Sequence, residues 1–313
     1  MSFRTSLPAG VFAASLTPLK NDLSIDCDAL TAHCKWLLAN GNDGIALLGT
    51  TGEANSFTVE ERFQILDAVL KGGMPPEKLM VGTGCCAFPD TVALTQHAVS
   101  QGVGGVLMLP PFYYKTVTDA GLANYFELII NHIKDPRLRI YLYHFPQLAK
   151  VSFSTPLVKL LVKEFPGIVV GMKDSSGNWE HMQEICRELP GFNLYAGTEK
   201  YLLDLLRIGG AGCISATTNA TAQFARKVFQ NWQSENAVGF QKHLTKLRAA
   251  FEGYSFVSVL KYLFAKWSSN SAWLNLRPPN AMLREKEAAI VTQRLKALGF
   301  DLDLKNSIAG QPL

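Results

Sequence analysis

The chain has 313 residues, a formal net charge of +4 and a hydrophobic content of 48%. This composition is typical of a folded globular protein and excludes a disordered chain. The basic residues are scattered, which argues against nucleic acid as the main partner and leaves small anions compatible with the charge.

The sequence carries no sign of a membrane or secreted protein. No apolar run approaches the length that a bilayer span needs, and residues 1–10 lack the apolar stretch of a secretory signal. The six cysteines show no metal-ligand spacing, and most lie in apolar stretches, as reduced core cysteines do. We therefore expect a cytoplasmic protein without a membrane partner.

Short apolar runs alternate with amphipathic segments along most of the chain. The runs predict strands over residues 11–19, 44–49, 79–84, 105–109, 139–145, 168–172, 192–196 and 212–216. The segments between them predict helices over residues 27–39, 59–71, 91–101, 119–132, 155–165, 179–189, 200–208 and 221–232. Thr58 and Glu61 have the spacing of a capping box before the second helix. Eight strands that each precede a helix are typical of a (β/α)₈ barrel.

A doubly wound open sheet is the alternative fold for this alternation. It normally carries a glycine-rich phosphate turn after its first strand, and residues 17–20 form no such turn. Further helical patterns cover residues 237–251, 255–268 and 283–298 without any strand pattern. The sequence therefore predicts an α/β fold with a (β/α)₈ TIM barrel over residues 1–232 and a C-terminal helical extension over residues 233–313 that packs on the barrel.

Polar side chains collect at the ends of the predicted strands, where the active site of such a barrel lies. Thr50 and Thr51 follow the second strand, Tyr143 lies on the fifth, and Lys173 ends the sixth. No cluster of carboxylates and histidines for a metal accompanies them. A lysine partly removed from water is less readily charged, and its free amine attacks carbonyls, although a strand-end lysine more often turns into solvent. The set predicts a carbonyl substrate bound through an amine.

Three motifs on these strand ends carry a family resemblance. They are Gly49-Thr50-Thr51-Gly52-Glu53, Tyr143-x-x-Pro146 and Gly171-x-Lys173-Asp174-Ser175-Ser176. In their order and spacing the chain resembles the dihydrodipicolinate synthase / N-acetylneuraminate lyase family of class I, Schiff-base-forming aldolases. The resemblance runs from the first strand into the C-terminal tail. It implies a lyase that needs neither a cofactor nor a metal.

The resemblance implies a role for each motif residue. Lys173 attacks C2 of pyruvate or a related 2-oxo acid to form an imine, which acts as an electron sink. Tyr143 is the phenol that moves protons, and Thr50 is the next member of the relay. Thr50 and Thr51 fit the cradle of the 2-oxo acid carboxylate, because successive N–H groups in a turn bind anions. Each of these residues also has a plain structural interpretation, as strand terminator or core side chain.

The resemblance also implies an oligomer. In many family members a tyrosine from the neighbouring subunit completes the relay, and Tyr114 matches that tyrosine. A homodimer would then be the minimal active unit, and a homotetramer the expected assembly. Gly197 and Ile214 match positions where the backbone lies close to the bound substrate.

Three acidic or imidazole side chains in the motifs are predicted to have structural roles. His144 and Asp174 alternate away from the barrel interior, since neighbouring strand residues face opposite sides. Glu53 is interpreted as a local hydrogen-bonding residue.

One position departs from the family's synthases. They usually carry an arginine two residues after the proline of Tyr-x-x-Pro, where the guanidinium binds the carboxylate of the second substrate. Leu148 stands at this position, and Lys150 lacks the fork geometry of arginine. Sialic acid lyases have an apolar residue there. They hold the glycerol tail of the substrate with an acidic residue and a second hydroxyl, and this pair is only partly present here. Glu199 stands near the position of the acidic residue, and Ala216 replaces the residue with the hydroxyl.

These departures favour a pyruvate-dependent aldolase that acts on a 2-oxo-3-deoxy sugar acid or a similar small 2-oxo acid. Ser175 and Glu199 are then candidates for binding substrate hydroxyls. Three alternatives stay open: a dehydratase on deoxy-oxo sugar acids, a dihydrodipicolinate synthase that condenses pyruvate with aspartate semialdehyde, and a non-catalytic 2-oxo acid-binding regulator. Intact Lys173, Tyr143 and Thr50 argue against the regulator, because a binding protein needs no imine.

Overall fold

The computed structural model describes residues 7–302, and within them eight parallel strands close into a barrel. The strands are β1 (Gly10–Ala14), β2 (Gly44–Leu47), β3 (Leu79–Gly82), β4 (Gly105–Met108), β5 (Ile140–His144), β6 (Val169–Asp174), β7 (Asn193–Ala196) and β8 (Gly212–Ser215). The helices are α1 (Cys27–Ala39), α2 (Val59–Lys71), α3 (Phe88–Ser100), α4 (Asp119–Ile133), α5 (Pro146–Ala149), α6 (Thr155–Glu164), α7 (Trp179–Glu188), α8 (Leu202–Arg207), α9 (Thr218–Gln230), α10 (Ala237–Ala250), α11 (Phe256–Ser268) and α12 (Glu285–Ala297). Strands pair in chain order, and β1 also pairs with β8, which closes the ring. The predicted (β/α)₈ barrel is confirmed.

Most boundaries lie within a few residues of the prediction. The first strand is shorter, because β1 ends at Ala14 and the predicted remainder leaves the barrel. The capping box before α2 is confirmed, since Thr58 and Glu61 each accept a backbone N–H bond from the other. α3 begins at Phe88, three residues before the predicted start, and Pro89 fits there because the first turn of a helix needs no N–H partner.

Aromatic side chains close the amino-terminal end of the barrel. Tyr141 and Tyr195 are fully buried, and their ring centroids lie 6.1 Å apart. The Tyr141 hydroxyl accepts the N–H of Leu7 at 2.8 Å, and the Tyr195 hydroxyl donates to the carbonyl of Pro8 at 2.9 Å. Since Leu7 and Pro8 precede β1, these contacts plug the end of the barrel opposite to the carboxyl ends of the strands.

The buried ring of Tyr141 also explains why the lysine motif begins with a glycine, Gly171. A Cβ on Gly171 would lie 2.5 Å from Cδ1 of Tyr141, and one on Gly105 would lie 2.6 Å from Cε2 of the same ring. Both distances are far below van der Waals contact. The ring of Tyr141 therefore requires glycine on both neighbouring strands.

The C-terminal helices are tied to the barrel. α10 packs on α9, and α12 packs on α10 and α11. Asn275 donates to the carbonyl of Leu19 at 3.0 Å, and Nη2 of Arg277 lies 2.5 Å from Oε1 of Glu61. The division of the chain into a barrel that ends at residue 232 and an extension that begins at residue 233 stays a prediction. Residues 303–313 of the predicted extension lie outside the described residues.

Within residues 7–302 no helix combines the length and the apolar character that a membrane crossing requires. Residues 1–6, on which part of the expectation about a secretory signal rests, lie outside the described residues.

Candidate active site

Lys173 lies near the carboxyl end of β6, inside a strand that extends two residues beyond its predicted end. The register of the parallel pair sets Tyr143 of β5 directly beside it. Nζ of Lys173 is 3.3 Å from the Tyr143 hydroxyl and 4.3 Å from the centroid of that ring. Only 4% of Lys173 and 3% of Tyr143 are exposed. Neighbouring strands thus place an amine and a phenol in contact, shielded from bulk water.

The turn after β2 supplies the next polar group. Oγ1 of Thr50 lies 3.2 Å from the Tyr143 hydroxyl, so Thr50, Tyr143 and Lys173 form a continuous chain of polar atoms. Such a chain can pass a proton between an amine and hydroxyl groups. The three residues that the motifs predicted for one relay therefore lie together.

These side chains open into a cavity of about 720 Å³ at the carboxyl ends of the strands. A cavity of this size is typical of a small-molecule site. Six of the nine predicted site residues line it: Thr50, Thr51, Tyr143, Lys173, Ser175 and Gly197. Gly197 is needed for this arrangement, because a Cβ at that position would lie 2.0 Å from Oγ of Ser175.

Glu199 does not line this cavity, in contrast to its predicted role as a hydroxyl-binding residue. Its carboxylate is fully buried, and it accepts hydrogen bonds from Ser215 at 2.5 Å, Thr217 at 2.5 Å and Nη1 of Arg248 at 2.8 Å. Burial works to raise the pKa of Glu199, but the Arg248 charge and the hydroxyl donors outweigh it and hold the pKa below its usual value. Because its oxygens are engaged inside the protein, Glu199 is placed to support the fold and not to contact a substrate.

Two further predicted residues also lie off the cavity lining. The side chain of Ile214 is fully buried in the barrel interior, so only its backbone is available for the predicted proximity to substrate. Tyr114 follows β4 in an exposed loop, where 73% of it is accessible and its ring contacts Tyr113 at a centroid distance of 5.3 Å. Tyr114 is absent from the lining of the cavity that contains Lys173, and its predicted role at a subunit interface stays a prediction.

The buried ion pair between Glu53 and Lys261 was missed by the sequence analysis. Glu53 closes the turn that carries Thr50, in a left-handed conformation with φ 56°. Its Oε1 lies 2.5 Å from Nζ of Lys261 on α11, and its Oε2 accepts from Asn280 at 3.2 Å. Both charged side chains are fully buried. The predicted local hydrogen-bonding role of Glu53 is therefore too narrow, since the residue ties the site turn to the C-terminal helices.

The sequence model of the dihydrodipicolinate synthetase family matches residues 7–298. The chain belongs to this family. A Chloroflexus aurantiacus protein described as an uncharacterized DapA-like lyase is 31% identical over 286 residues, which cover 90% of this chain and 94% of that protein. The resemblance inferred from the three motifs is therefore confirmed.

Solved structures of the dihydrodipicolinate synthase family have the same fold. The dihydrodipicolinate synthase from Agrobacterium tumefaciens str. C58 superposes with a TM-score of 0.85 and 31% identity, covering 93% of this chain and 99% of that chain. YagE, a prophage protein of the family from E. coli K12 in complex with pyruvate, gives 0.84 and 26% identity, covering 93% and 98%. The chain is accordingly an enzyme, a lyase of the class I aldolase type that this family comprises.

Behind the amine–phenol pair, the outward-facing residues of β5 and β6 form a second polar network. Nδ1 of His181 lies 2.6 Å from Oδ2 of Asp174, and the His181 ring packs against the His144 ring with centroids 4.6 Å apart. Nδ1 of His144 accepts the N–H of Phe153 at 3.1 Å. The possible ligand atoms of His144, Asp174 and His181 lie within 4.8 Å of one another. Nδ1 of each histidine and both oxygens of Asp174 are engaged in hydrogen bonds, whereas Nε2 of His181 is buried without a partner among the described residues. The predicted structural interpretation of His144 and Asp174 agrees with this placement.

The two histidines have opposite pKa shifts. Burial lowers the pKa of His144 to about 4. Burial also works to lower the pKa of His181, but the hydrogen bond and charge of Asp174 outweigh it and raise that pKa above 6.5. Below pH 6.5 the folded chain therefore binds a proton on His144 less readily than the unfolded chain does. Above pH 6.5 the folded chain binds a proton on His181 more readily than the unfolded chain does. The stability that these two histidines contribute is therefore largest near pH 6.5.

We expect the free energy of unfolding to fall as the pH drops from 6.5 toward 4, because His144 takes up a proton more readily in the unfolded chain. A shift of this size corresponds to about 3 kcal/mol. Urea denaturation across this range, compared between the wild type and His144→Gln, measures the effect. The variant should show a shallower slope, with a remainder from His33, whose pKa burial also lowers to about 4. Equal slopes would contradict the assignment.

Proposed function

We propose that this family member is a pyruvate-dependent Schiff-base aldolase that cleaves, or forms in reverse, a 2-oxo-3-deoxy sugar acid or a similar small 2-oxo acid. The observation that carries the proposal is the contact of Lys173 Nζ with the Tyr143 hydroxyl at the floor of the cavity. The pyruvate in the E. coli K12 relative supports the choice of 2-oxo acid.

In the proposed reaction, Nζ of Lys173 attacks the C2 carbonyl, and loss of water leaves an imine. The protonated imine withdraws electrons, so the C3–C4 bond breaks as the C4 hydroxyl loses its proton, and an aldehyde departs. The remaining enamine takes up a proton at C3, and water then releases pyruvate and restores the amine. In this proposal Tyr143 and Thr50 accept and return these protons, and the contacts that join both hydroxyls to Lys173 support that role.

We assign the carboxylate of the 2-oxo acid to the turn of Thr50 and Thr51. Both residues line the cavity, and within residues 7–302 their backbone N–H groups donate no hydrogen bond. Successive free N–H groups in a turn attract an anion. Ser175, which also lines the cavity, remains a candidate for binding a substrate hydroxyl.

We further propose that the active unit is a dimer, alone or within a homotetramer, in which Tyr114 of one subunit reaches the relay of the other. The exposed pair Tyr113 and Tyr114 supports this arrangement, because two neighbouring exposed aromatic rings are typical of a contact surface. Tyr114→Ala should lower turnover, and light scattering should find a dimer or tetramer for the wild type. A fully active monomer would contradict the proposal.

The similarity to the Agrobacterium synthase favours a second candidate, the condensation of pyruvate with aspartate semialdehyde. Against it, Leu148 lines the cavity with 60% of its surface exposed, at the position where the synthases usually carry arginine. An apolar side chain offers no partner for the second carboxylate. Product analysis after incubation with pyruvate and aspartate semialdehyde tests this candidate. Product analysis with deoxy-oxo sugar acids distinguishes a dehydratase from an aldolase.

The proposed function is tested by incubation with pyruvate and borohydride, followed by intact mass and peptide mapping. We expect a reduced adduct on Lys173. Folded protein without an adduct would exclude the Schiff-base mechanism and bring forward the non-catalytic 2-oxo acid-binding protein.

Tyr143→Phe keeps the ring beside Lys173 and removes only the hydroxyl. We expect turnover to fall by about 10²–10⁴-fold, the usual contribution of a positioned acid–base group, while the fold is retained. Steady-state kinetics of pyruvate release measure the effect. Tyr125→Phe is the matched control, because its hydroxyl donates to Oγ1 of Thr91 at 2.9 Å and the residue does not line the cavity. A Tyr143→Phe variant with wild-type turnover would remove Tyr143 from the mechanism.

A further inference from the structure

Two neighbouring cysteines, Cys85 and Cys86, lie between β3 and α3, and the proposed function uses neither of them. We propose that Cys85 is a site of reversible oxidation by a peroxide, at which the guanidinium of Arg62 holds the resulting sulfenate, and that this oxidation slows the chemistry at Lys173. The oxidation itself is independent of the proposed function, and only its effect on Lys173 rests on that function.

Arg62 of α2 carries a positive charge that is buried without a counter-charge. Only 3% of the residue is exposed, and no carboxylate within residues 7–302 forms an ion pair with it. Its Nη2 donates to the carbonyl of Gly82 at 2.8 Å, and its Nε is buried without a hydrogen-bond partner among the same residues. A buried charge is costly unless it is paired, so this position favours an anion beside Arg62.

The sulfur of Cys85 lies beside this charge. Nη1 of Arg62 donates to Sγ of Cys85 at 3.0 Å. The N–H of Cys85 donates to Oγ1 of Thr91 in the first turn of α3 at 3.0 Å, which fixes the backbone that carries the thiol. Cys85 is half-buried and Cys86 is exposed, so a molecule as small as a peroxide reaches this part of the surface. An arginine against a partly exposed thiol is typical of cysteines that react as thiolates.

Arg62, Asp90, Cys86 and Tyr125 are the titratable groups that interact with the Cys85 thiol. Burial raises the pKa of Cys85 most strongly, Asp90 and Cys86 raise it further, and the charge and hydrogen bond of Arg62 lower it. Burial raises the pKa of Tyr125 to about 12, so this phenol is neutral at neutral pH. The Cys85 thiolate is therefore a minor species at neutral pH, and we expect its oxidation to accelerate as the pH rises.

Oxidation supplies the anion that Arg62 lacks. A sulfenic acid gives up its proton more readily than a thiol does, and a hydrogen bond between a guanidinium and an anionic oxygen is strong. The unpaired guanidinium therefore stabilises the oxidised side chain more than the reduced one. This difference favours the arrest of oxidation at the sulfenate of Cys85.

The step balances with the peroxide as its only oxidant. The Cys85 thiolate attacks one peroxide oxygen, so that an S–O bond forms and the O–O bond breaks. Sulfur loses two electrons, and the second peroxide oxygen leaves as hydroxide, which takes up a proton to become water. A thiol reductant reverses the oxidation: one thiol forms a mixed disulfide with Cys85 and releases water, and a second thiol then frees Cys85.

Arg62 also connects Cys85 to the relay. It lines a small cavity of about 20 Å³ together with Thr50 and Tyr143, whose hydroxyls lie 3.2 Å apart. A nearby positive charge stabilises the negative charge that develops on a hydroxyl during proton transfer. A sulfenate on Cys85 would neutralise this charge, so we expect proton transfer at Lys173 to slow.

The modification is tested by treating the full-length protein with hydrogen peroxide in the presence of dimedone, which traps sulfenates, followed by peptide mapping. The Cys86→Ser variant is treated in parallel, because the Cys86 thiol is a possible partner for the sulfenate. We expect a dimedone adduct on Cys85 of this variant, formed at a rate that rises with pH. No adduct on Cys85 would overturn the proposal.

Cys27 and Cys186 are internal controls for this mapping. Both are half-buried, and burial raises the pKa of both thiols, as it does for Cys85. Cys85 differs from them in its contact with the guanidinium of Arg62. We expect Cys85 to react several-fold faster than either control. Equal rates at all three cysteines would overturn the proposal.

Arg62→Met tests the role of the guanidinium. We expect the variant to form the Cys85 adduct several-fold more slowly than the wild type, and Arg62→Lys, which keeps the charge, to recover part of the rate. Arg137→Met removes an exposed guanidinium and is the matched control. Circular dichroism shows which variants are folded. A folded Arg62→Met protein that reacts as fast as the Arg137→Met control would remove Arg62 from the proposal.

The effect on Lys173 is measured as the rate at which pyruvate is trapped with cyanoborohydride. Catalase first removes the peroxide, because peroxides oxidise 2-oxo acids. We expect several-fold slower trapping in oxidised Cys86→Ser than in the reduced protein, recovery with dithiothreitol, and no change in peroxide-treated Cys85→Ser, Cys86→Ser. Equal rates before and after oxidation would overturn the effect on Lys173. A reduced protein that traps no pyruvate contradicts the proposed function instead and leaves the mapping of Cys85 valid.

Discussion

Lys173→Met is expected to abolish both the pyruvate adduct and turnover. Methionine keeps the length of the side chain against the Tyr143 ring and removes only the amine that forms the imine. Loss of a covalent nucleophile typically lowers turnover by at least about 10⁴-fold. The measurement is borohydride trapping by intact mass together with steady-state release of pyruvate.

Lys163→Met is the matched control for this change, because 80% of the Lys163 side chain is exposed, far from the cavity lining. It should trap pyruvate as the wild type does. If Lys173→Met retained an adduct, the peptide map would identify another lysine as the nucleophile, and the roles assigned to Tyr143 and Thr50 would fail with Lys173.

Lys261→Met is expected to cost about 3–5 kcal/mol of unfolding free energy, because it leaves the Glu53 carboxylate buried without its partner. Burial dominates the environment of Lys261 and lowers its pKa in spite of Glu53. The change should also raise KM for pyruvate, since the N–H of Glu53 donates to the carbonyl of Thr50 at 3.1 Å and the turn depends on its position. Urea denaturation and steady-state kinetics measure the two effects.

Two comparisons test this account of the ion pair. Lys266→Met alters an exposed lysine on the same helix and should leave the free energy of unfolding near that of the wild type. The double variant Glu53→Gln, Lys261→Met removes both charges and should recover part of the lost stability. A Lys261→Met protein as stable as the Lys266→Met control would mean that the pair contributes nothing net.

Features set by short-range patterns were predictable from the sequence. The alternation of apolar runs and helices predicted the barrel, and strand ends in a barrel face one mouth, so Thr50, Tyr143 and Lys173 were expected together. The two-residue period of a strand put Tyr141 and Tyr143 on one side. It did not reveal that Tyr141 plugs the barrel while Tyr143 meets the lysine, because that difference depends on depth along the strand.

Features that depend on distant partners were not predictable. Glu53 and Lys261 are separated by 208 positions, and no periodicity connects a turn to a helix so far along the chain. Glu199 was predicted to bind substrate because it stands near the acidic residue with which sialic acid lyases hold the glycerol tail. Its actual environment depends on Arg248 of α10, which covers it from the C-terminal segment.

The plug of Tyr141 and Tyr195 closes one end of the barrel, and the cavity lies at the other end. Pyruvate bound to Lys173 would occupy the floor, and the aldehyde would lie between it and solvent. On the proposed chemistry, substrate binding and product release are therefore ordered. In cleavage the aldehyde leaves first and pyruvate last, and in synthesis pyruvate binds before the aldehyde. Accumulated pyruvate would then compete with the 2-oxo acid for the free amine and slow cleavage, whereas the free aldehyde would not compete for that amine in this order of binding.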